Sequence, residues 1–182
     1  MIKRLIRGLA WAKRLEDERG AALVELALCL FMLLVLVFGI IDFSQIIYDH
    51  QQMSGLSRQG SDLASRAADD TLQETVAALV VQGAPMNIGT NGRIILTEVA
   101  NNSSGSPIIV NQAESTTGIA ATSAVGTGIG NPATMPAAAT TALNAGQTLF
   151  VTEVFYSYSP MTPLGNFLKT SLASTLYESA YF

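Results

Sequence analysis

The sequence predicts an α+β protein: a long N-terminal transmembrane α-helix running into a small antiparallel β-sheet domain. Three observations lead there. A membrane-length apolar run extends from Ala21 to Ile41, a helical period of apolar residues continues beyond it, and β-branched segments separated by turn residues fill the C-terminal half.

The first element follows from length and hydrophobicity. At about 1.5 Å per residue, Ala21 to Ile41 rises roughly 31 Å, enough to cross a hydrocarbon core. Past Ile41 the apolar residues Phe43, Ile46, Ile47, Met53, Leu56, Leu63, Ala67, Leu72, Val76 and Leu79 recur mostly three or four apart. That spacing puts them on one stripe, predicting helix from Ala21 to about Ala67, with an extension to about Val81. Gly55 and Gly60 each weaken it by about 1 kcal/mol relative to alanine, so a bend or looser turn is expected there. Gly83-Ala84-Pro85 ends the element.

Strands follow. Arg93 to Ala100 is β-branched and apolar, Asn101 to Pro107 is turn-forming, and Ile108-Ile109-Val110 returns as a hairpin. Residues 115–146 are mostly Ala, Thr, Gly, Ser and Asn, with little apolar area to offset ordering entropy. A mobile loop or weakly ordered insertion is expected, one that could be shortened at small cost in folding stability. Thr148 to Tyr158 is the strongest strand, broken by Pro160 and Pro163. A turn or helix near Leu164 to Leu168 leads to Ser171 to Phe182, read as a last strand with a C-terminal helix as the alternative. The organisation is a charged segment over 1–20, a transmembrane and amphipathic helix over 21–82, and a β-rich domain over 83–182.

Charge placement orients the chain. Residues 1–20 carry six basic side chains (Lys3, Arg4, Arg7, Lys13, Arg14, Arg19) against Glu16, Asp17 and Glu18. The remainder holds four basic residues against eleven acids. By the positive-inside rule the first segment stays cytoplasmic and the rest is translocated. An acidic exported domain has no electrostatic footprint for nucleic acid. The apolar run is too long for an ordinary secretory signal and lacks a small-x-small cleavage site at its end. An uncut signal anchor fits the hydrophobicity equally well. Cys29, the sole cysteine, permits no intramolecular disulfide and reads as a small packing residue.

Glu25 is the odd residue. A carboxylate costs about 2–3 kcal/mol at the centre of a membrane helix and less near its end, so its presence demands a reason. Gly20, four small or apolar residues and then Glu25 resemble the processing site of class III signal peptides, cut after the glycine by a prepilin peptidase. From Arg19 to Arg66 the RGAALVELAL opening, the IIDF exit and the LSRQGSDLASRA continuation resemble the TadE-like pseudopilins of the tight-adherence (Flp) pilus system. The resemblance covers the first third of the chain. Leu26 stands where major Flp pilins usually have tyrosine, and this chain is far longer; both features suit a minor subunit. The resemblance implies cleavage between Gly20 and Ala21, so that 1–20 is a leader, and a role for Glu25 in neutralising the new α-amino group of a neighbouring subunit. Each charge alone is costly in apolar surroundings, while the pair is tolerated. Ala21 and Glu25 lie one turn apart, so pairing within one chain is equally open, as is a glutamate merely snorkelling to the interface.

Nothing in the sequence calls for an enzyme, a cofactor or a metal. Thr97-Glu98-Val99 and Thr152-Glu153-Val154 place a carboxylate in each of two strands, where solvated edge charges are the simplest reading. His50, the single histidine, sits beside Asp49 but has no nucleophile motif or second ligand cluster to join, and reads as a surface residue near the bilayer. The aromatics from Phe150 to Phe182 fill the sheet core, leaving some exposed for subunit contacts. The expected function is therefore that of a minor pseudopilin taking part in assembly, initiation or capping of a Flp pilus. It would be anchored in the bacterial inner membrane, with other pilins and inner-membrane assembly proteins as hetero-oligomeric partners. The alternative is an uncut single-span envelope protein whose outer domain binds a partner or surface, as an adhesin does.

Overall fold

The computed structural model describes residues 2–66, 71–144, 146–163, 165 and 175–182, with side chains described from Gly20 onward. The α+β prediction holds: one long helix is followed by a four-stranded antiparallel sheet. Helix α1 spans Ile2–Arg66, and its Gly20–Arg66 part is long and apolar enough to cross a membrane. The expected continuation to Val81 as one helix is corrected. Thr71 starts a separate helix, α2 (Leu72–Gln82), through a capping box: its hydroxyl accepts from the Glu74 N–H, and the Glu74 carboxylate accepts from the Thr71 N–H. The Thr71-x-x-Glu74 spacing was legible and outweighs the apolar period that runs through it. Gly83 caps α2, Ala84–Met86 form a single 3₁₀ turn, and a short α3 (Ile88–Asn91) leads into the sheet.

Strands β1 (Gly92–Asn101), β2 (Pro107–Glu114), β3 (Thr148–Ser157) and β4 (Thr175–Tyr181) pair in the order β2-β1-β3-β4. The β1–β2 hairpin closes on Asn102, whose side-chain oxygen accepts from the N–H groups of Ser104 and Ser106. The last strand is a strand and not a helix, beginning at Thr175; the expected turn or helix at Leu164 to Leu168 lies outside the described residues, Gly165 aside.

Side-chain alternation gives the sheet two buried faces. On one, Ile94, Leu96, Val154 and Tyr156 pack against Met53, Leu56 and Ala64 of α1 and Leu72, Val76 and Leu79 of α2. The predicted stripe is real but narrower, since Phe43 and Leu63 are exposed. Small residues let α1 approach closely. A Cβ on Gly60 would lie 2.7 Å from Leu79 Cδ1 and from both Thr152 Cγ2 and Oγ1. Gly60, expected to mark a bend, is thus where helix meets sheet. Next to it the buried Ser61 hydroxyl donates to the Ala180 carbonyl (2.9 Å) and accepts from the Thr152 N–H (3.1 Å).

The other face overturns the expectation of a loose insertion over 115–146. Val125, Ala133 and Leu143 are buried against Val99, Ile109 and Val151, making a second core. Backbone bonds hold the segment down: Ile119 N–H to Gly92 O (3.0 Å), Ile109 N–H to Asn131 O (2.9 Å), Gly130 N–H to Ile109 O (2.7 Å) and Ala133 N–H to Pro107 O (2.9 Å). The last three cover the outer edge of β2. Gly118, at φ +107°, passes so close to the Gly92 carbonyl that any Cβ would collide with it. A short helix α4 (Ala137–Ala142) closes the segment before β3. Its poverty in large side chains suits a cover that lies flat on a sheet.

Candidate processing and assembly segment

Gly20, Ala21 and Glu25 lie in the part of α1 that stands clear of the domain. All are exposed, as are nearly all the large apolar residues from Leu23 to Ile41. A single helix with no packed neighbour and a mean hydropathy of 2.9 over its most apolar window must be covered by lipid or by other helices. Nothing lies within 4 Å of a Cβ built on Gly20, so this fold makes no demand for glycine there. The peptide bond after Gly20 is inside α1, where glycine makes local unwinding about 1 kcal/mol easier than alanine would. Glu25 has no ion-pair or hydrogen-bond partner among the described residues. Helical rise puts it about 6 Å from Ala21 along the same face, within reach of an amine on Ala21. Cys29 is exposed on this same apolar surface.

Asp42 is the residue the sequence reading left without a role. It follows Ile41 directly, at the end of the apolar run, and is 8% exposed. Its carboxylate accepts from the N–H groups of Met161 (3.2 Å) and Thr162 (3.1 Å) and from the Thr162 hydroxyl. Its backbone carbonyl accepts from the buried Tyr158 hydroxyl (3.2 Å). The domain is therefore tied to the helix at the first residue past the span. A signal existed: Asp42 and Asp49 are seven apart, on the stripe that continues through Met53 and Leu56.

The remaining candidates separate. Glu98 pairs with Phe150 and Glu153 with Ile95, which sets the two carboxylates on opposite faces of the sheet, unable to act on one substrate. Their strands are central and Glu153 is fully buried, so the expectation of solvated edge charges is corrected. Glu153 accepts from the Ser123 hydroxyl, the Ala124 N–H (2.8 Å) and the Tyr177 hydroxyl (2.9 Å), pinning the cover to the sheet. Burial first of all pushes the Tyr177 hydroxyl up to about 12, which keeps it a donor across the ordinary pH range. His50 is exposed as expected, 3.6 Å from Glu178, while Asp49 is turned inward and accepts from Gln45 (3.0 Å). They form no dyad. Among the described residues no group of three or more His, Cys, Asp or Glu gathers as a metal site would require.

Residues 20–62 match the family described as TadE-like protein, over nearly the same stretch whose residues carry the resemblance. The match begins at Gly20 and ends within the part of α1 that packs on the sheet. Comparison with curated proteins and with solved structures gives no match.

Proposed function

We propose that this chain is a membrane-anchored minor pseudopilin of a Tad (Flp-type) pilus, taking part in its assembly, initiation or capping. The observation that carries the reading is an exposed Gly20 and a Glu25 with no partner among the described residues, heading a free-standing apolar helix within the segment that matches the TadE-like family. In this reading a prepilin peptidase cuts between Gly20 and Ala21, leaving residues 1–20 on the cytoplasmic side of the inner membrane. The span from Ala21 to Ile41 then packs against the helices of other pilins. Glu25 and an α-amino group meet in the helix bundle, because an unpaired carboxylate surrounded by apolar side chains would be far costlier than a pair. The β-domain lies on the outer side of the membrane, and its work is contact and placement, with no catalysis.

Processing is tested by the intact mass of the protein from a host that carries the peptidase. The expected chain begins at Ala21. A chain that still begins at Met1 in that host removes the pilin reading and leaves an uncut anchor with a binding domain. The second test separates cutting from assembly. Glu25→Ala keeps Gly20, so the variant should insert, more readily by about 1 kcal/mol, and should still be cut. Its co-purification with partner pilins, and piliation of the cells, should fall to a small fraction of the normal level. Normal assembly of the variant would reduce Glu25 to an interfacial residue.

A further inference from the structure

We propose that the loop from Pro160 to Pro163 is a second membrane contact, a foot of the β-domain that rests in the phospholipid interface beside the point where α1 leaves the bilayer. The inference rests on α1 spanning a membrane.

Height above the bilayer comes from Asp42. It is the first residue after the apolar run, and helical side chains tilt towards the helix N-terminus, here towards the membrane. The groups its carboxylate holds, the N–H of Met161 and of Thr162, therefore lie level with the end of the span or below it. Tyr158 reaches the Asp42 carbonyl, which points the other way along the helix, so the chain descends from Tyr158 to the loop. Gly165 closes the turn against the same carboxylate, where any Cβ would collide.

The chemistry of the loop fits lipid better than water. Pro160 and Pro163 have no N–H, and the N–H groups of the two residues between them are both taken by Asp42, which also takes the Thr162 hydroxyl. Four successive residues thus present no unbonded backbone donor, which lowers the cost of laying the loop against a low-dielectric surface. The side chain at the tip is apolar: Met161 is 72% exposed, and Phe43, the residue after Asp42 on α1, is 65% exposed. Ile40 and Ile41, at the end of the span to which Asp42 ties the loop, are exposed as well. The level of the loop at the end of the span, together with the missing donors, selects a bilayer over a protein partner. The foot also gives Asp42 a function beyond folding: by pinning the loop it fixes the tilt of the domain on its anchor.

Spin labels measure this directly. The full chain, with Cys29→Ser, is reconstituted in phosphatidylcholine–phosphatidylglycerol vesicles carrying one nitroxide at Met161→Cys, at Leu33→Cys in the span or at Ser104→Cys in the β1–β2 turn. Collision with oxygen reports lipid, and collision with a nickel chelate reports water. The label at 161 should show an oxygen-to-nickel ratio several-fold above that at 104 and below that at 33, as an interfacial depth requires. Adding Asp42→Ala should move the 161 label towards the value at 104. A 161 label that reads as 104 does, while 33 reads lipid, overturns the foot and leaves the span intact. A water-like reading at 33 overturns the span and the foot with it. The comparison of 161 with 104 needs no Asp42 variant, so misfolding of Asp42→Ala would not protect the proposal.

Discussion

Replacing Thr116–Asn144 with a short Gly/Ser linker is expected to abolish the cooperative unfolding of the β-domain. The replacement removes Val125, Ala133 and Leu143 from the second core, each fully or nearly fully buried. Burying a valine or leucine side chain contributes about 1.5–3 kcal/mol. It also uncovers Val99, Ile109 and Val151, fully buried beneath the cover, and takes Ser123 and Ala124 from Glu153, whose carboxylate then faces water. Together these exceed about 5 kcal/mol, comparable with the whole stability of a small domain. The measurement is a thermal melt of the full chain in mild detergent, followed by near-ultraviolet circular dichroism of the tyrosines. An unchanged melt would return this segment to the status of a dispensable loop, which its composition alone suggests.

Gly60→Val should destabilise the helix–sheet junction by about 3 kcal/mol. The added atoms have nowhere to go. Thr152 is β-branched, stiff and fully buried, and Leu79 is fully buried too, so neither can yield the space a Cβ needs. Gly55→Ala serves as the counterpart, since nothing lies within 4 Å of a Cβ there. It should be neutral or stabilising by up to about 1 kcal/mol through helix propensity. Denaturant melts of both variants in detergent decide the matter. Equal effects at the two glycines would mean that helix propensity alone governs both and that the close approach at Gly60 carries no energy.

These two expectations mark where sequence reasoning reaches and where it stops. The apolar run, the long helix, two of the strands nearly to the residue, and the Gly20–Glu25 pattern were all legible, because each depends on neighbours close in sequence. Apolar length decides a membrane helix, period decides a face, and a run of β-branched residues between turn formers decides a strand. Thr71-x-x-Glu74 was equally local, and the break before α2 could have been read from it.

The rest depends on pairs far apart in the chain. Gly60 is a weak helix residue until Leu79 and Thr152 arrive above it; Glu153 is a charge on a strand until Ser123, Ala124 and Tyr177 close over it. Residues 115–146 read as disordered because ordering entropy was weighed against their own few side chains. The fold sets against it a sheet face and a β2 edge that would otherwise be left to water. By itself the sequence determined a helix long and apolar enough to cross a membrane, since length and hydropathy are linear properties of the chain. Only the tertiary structure decided which polar residues became interior joints. The stability of a buried Asp42, Ser61 or Glu153 comes from donors and acceptors about thirty to one hundred and twenty positions away along the chain, which no local pattern encodes.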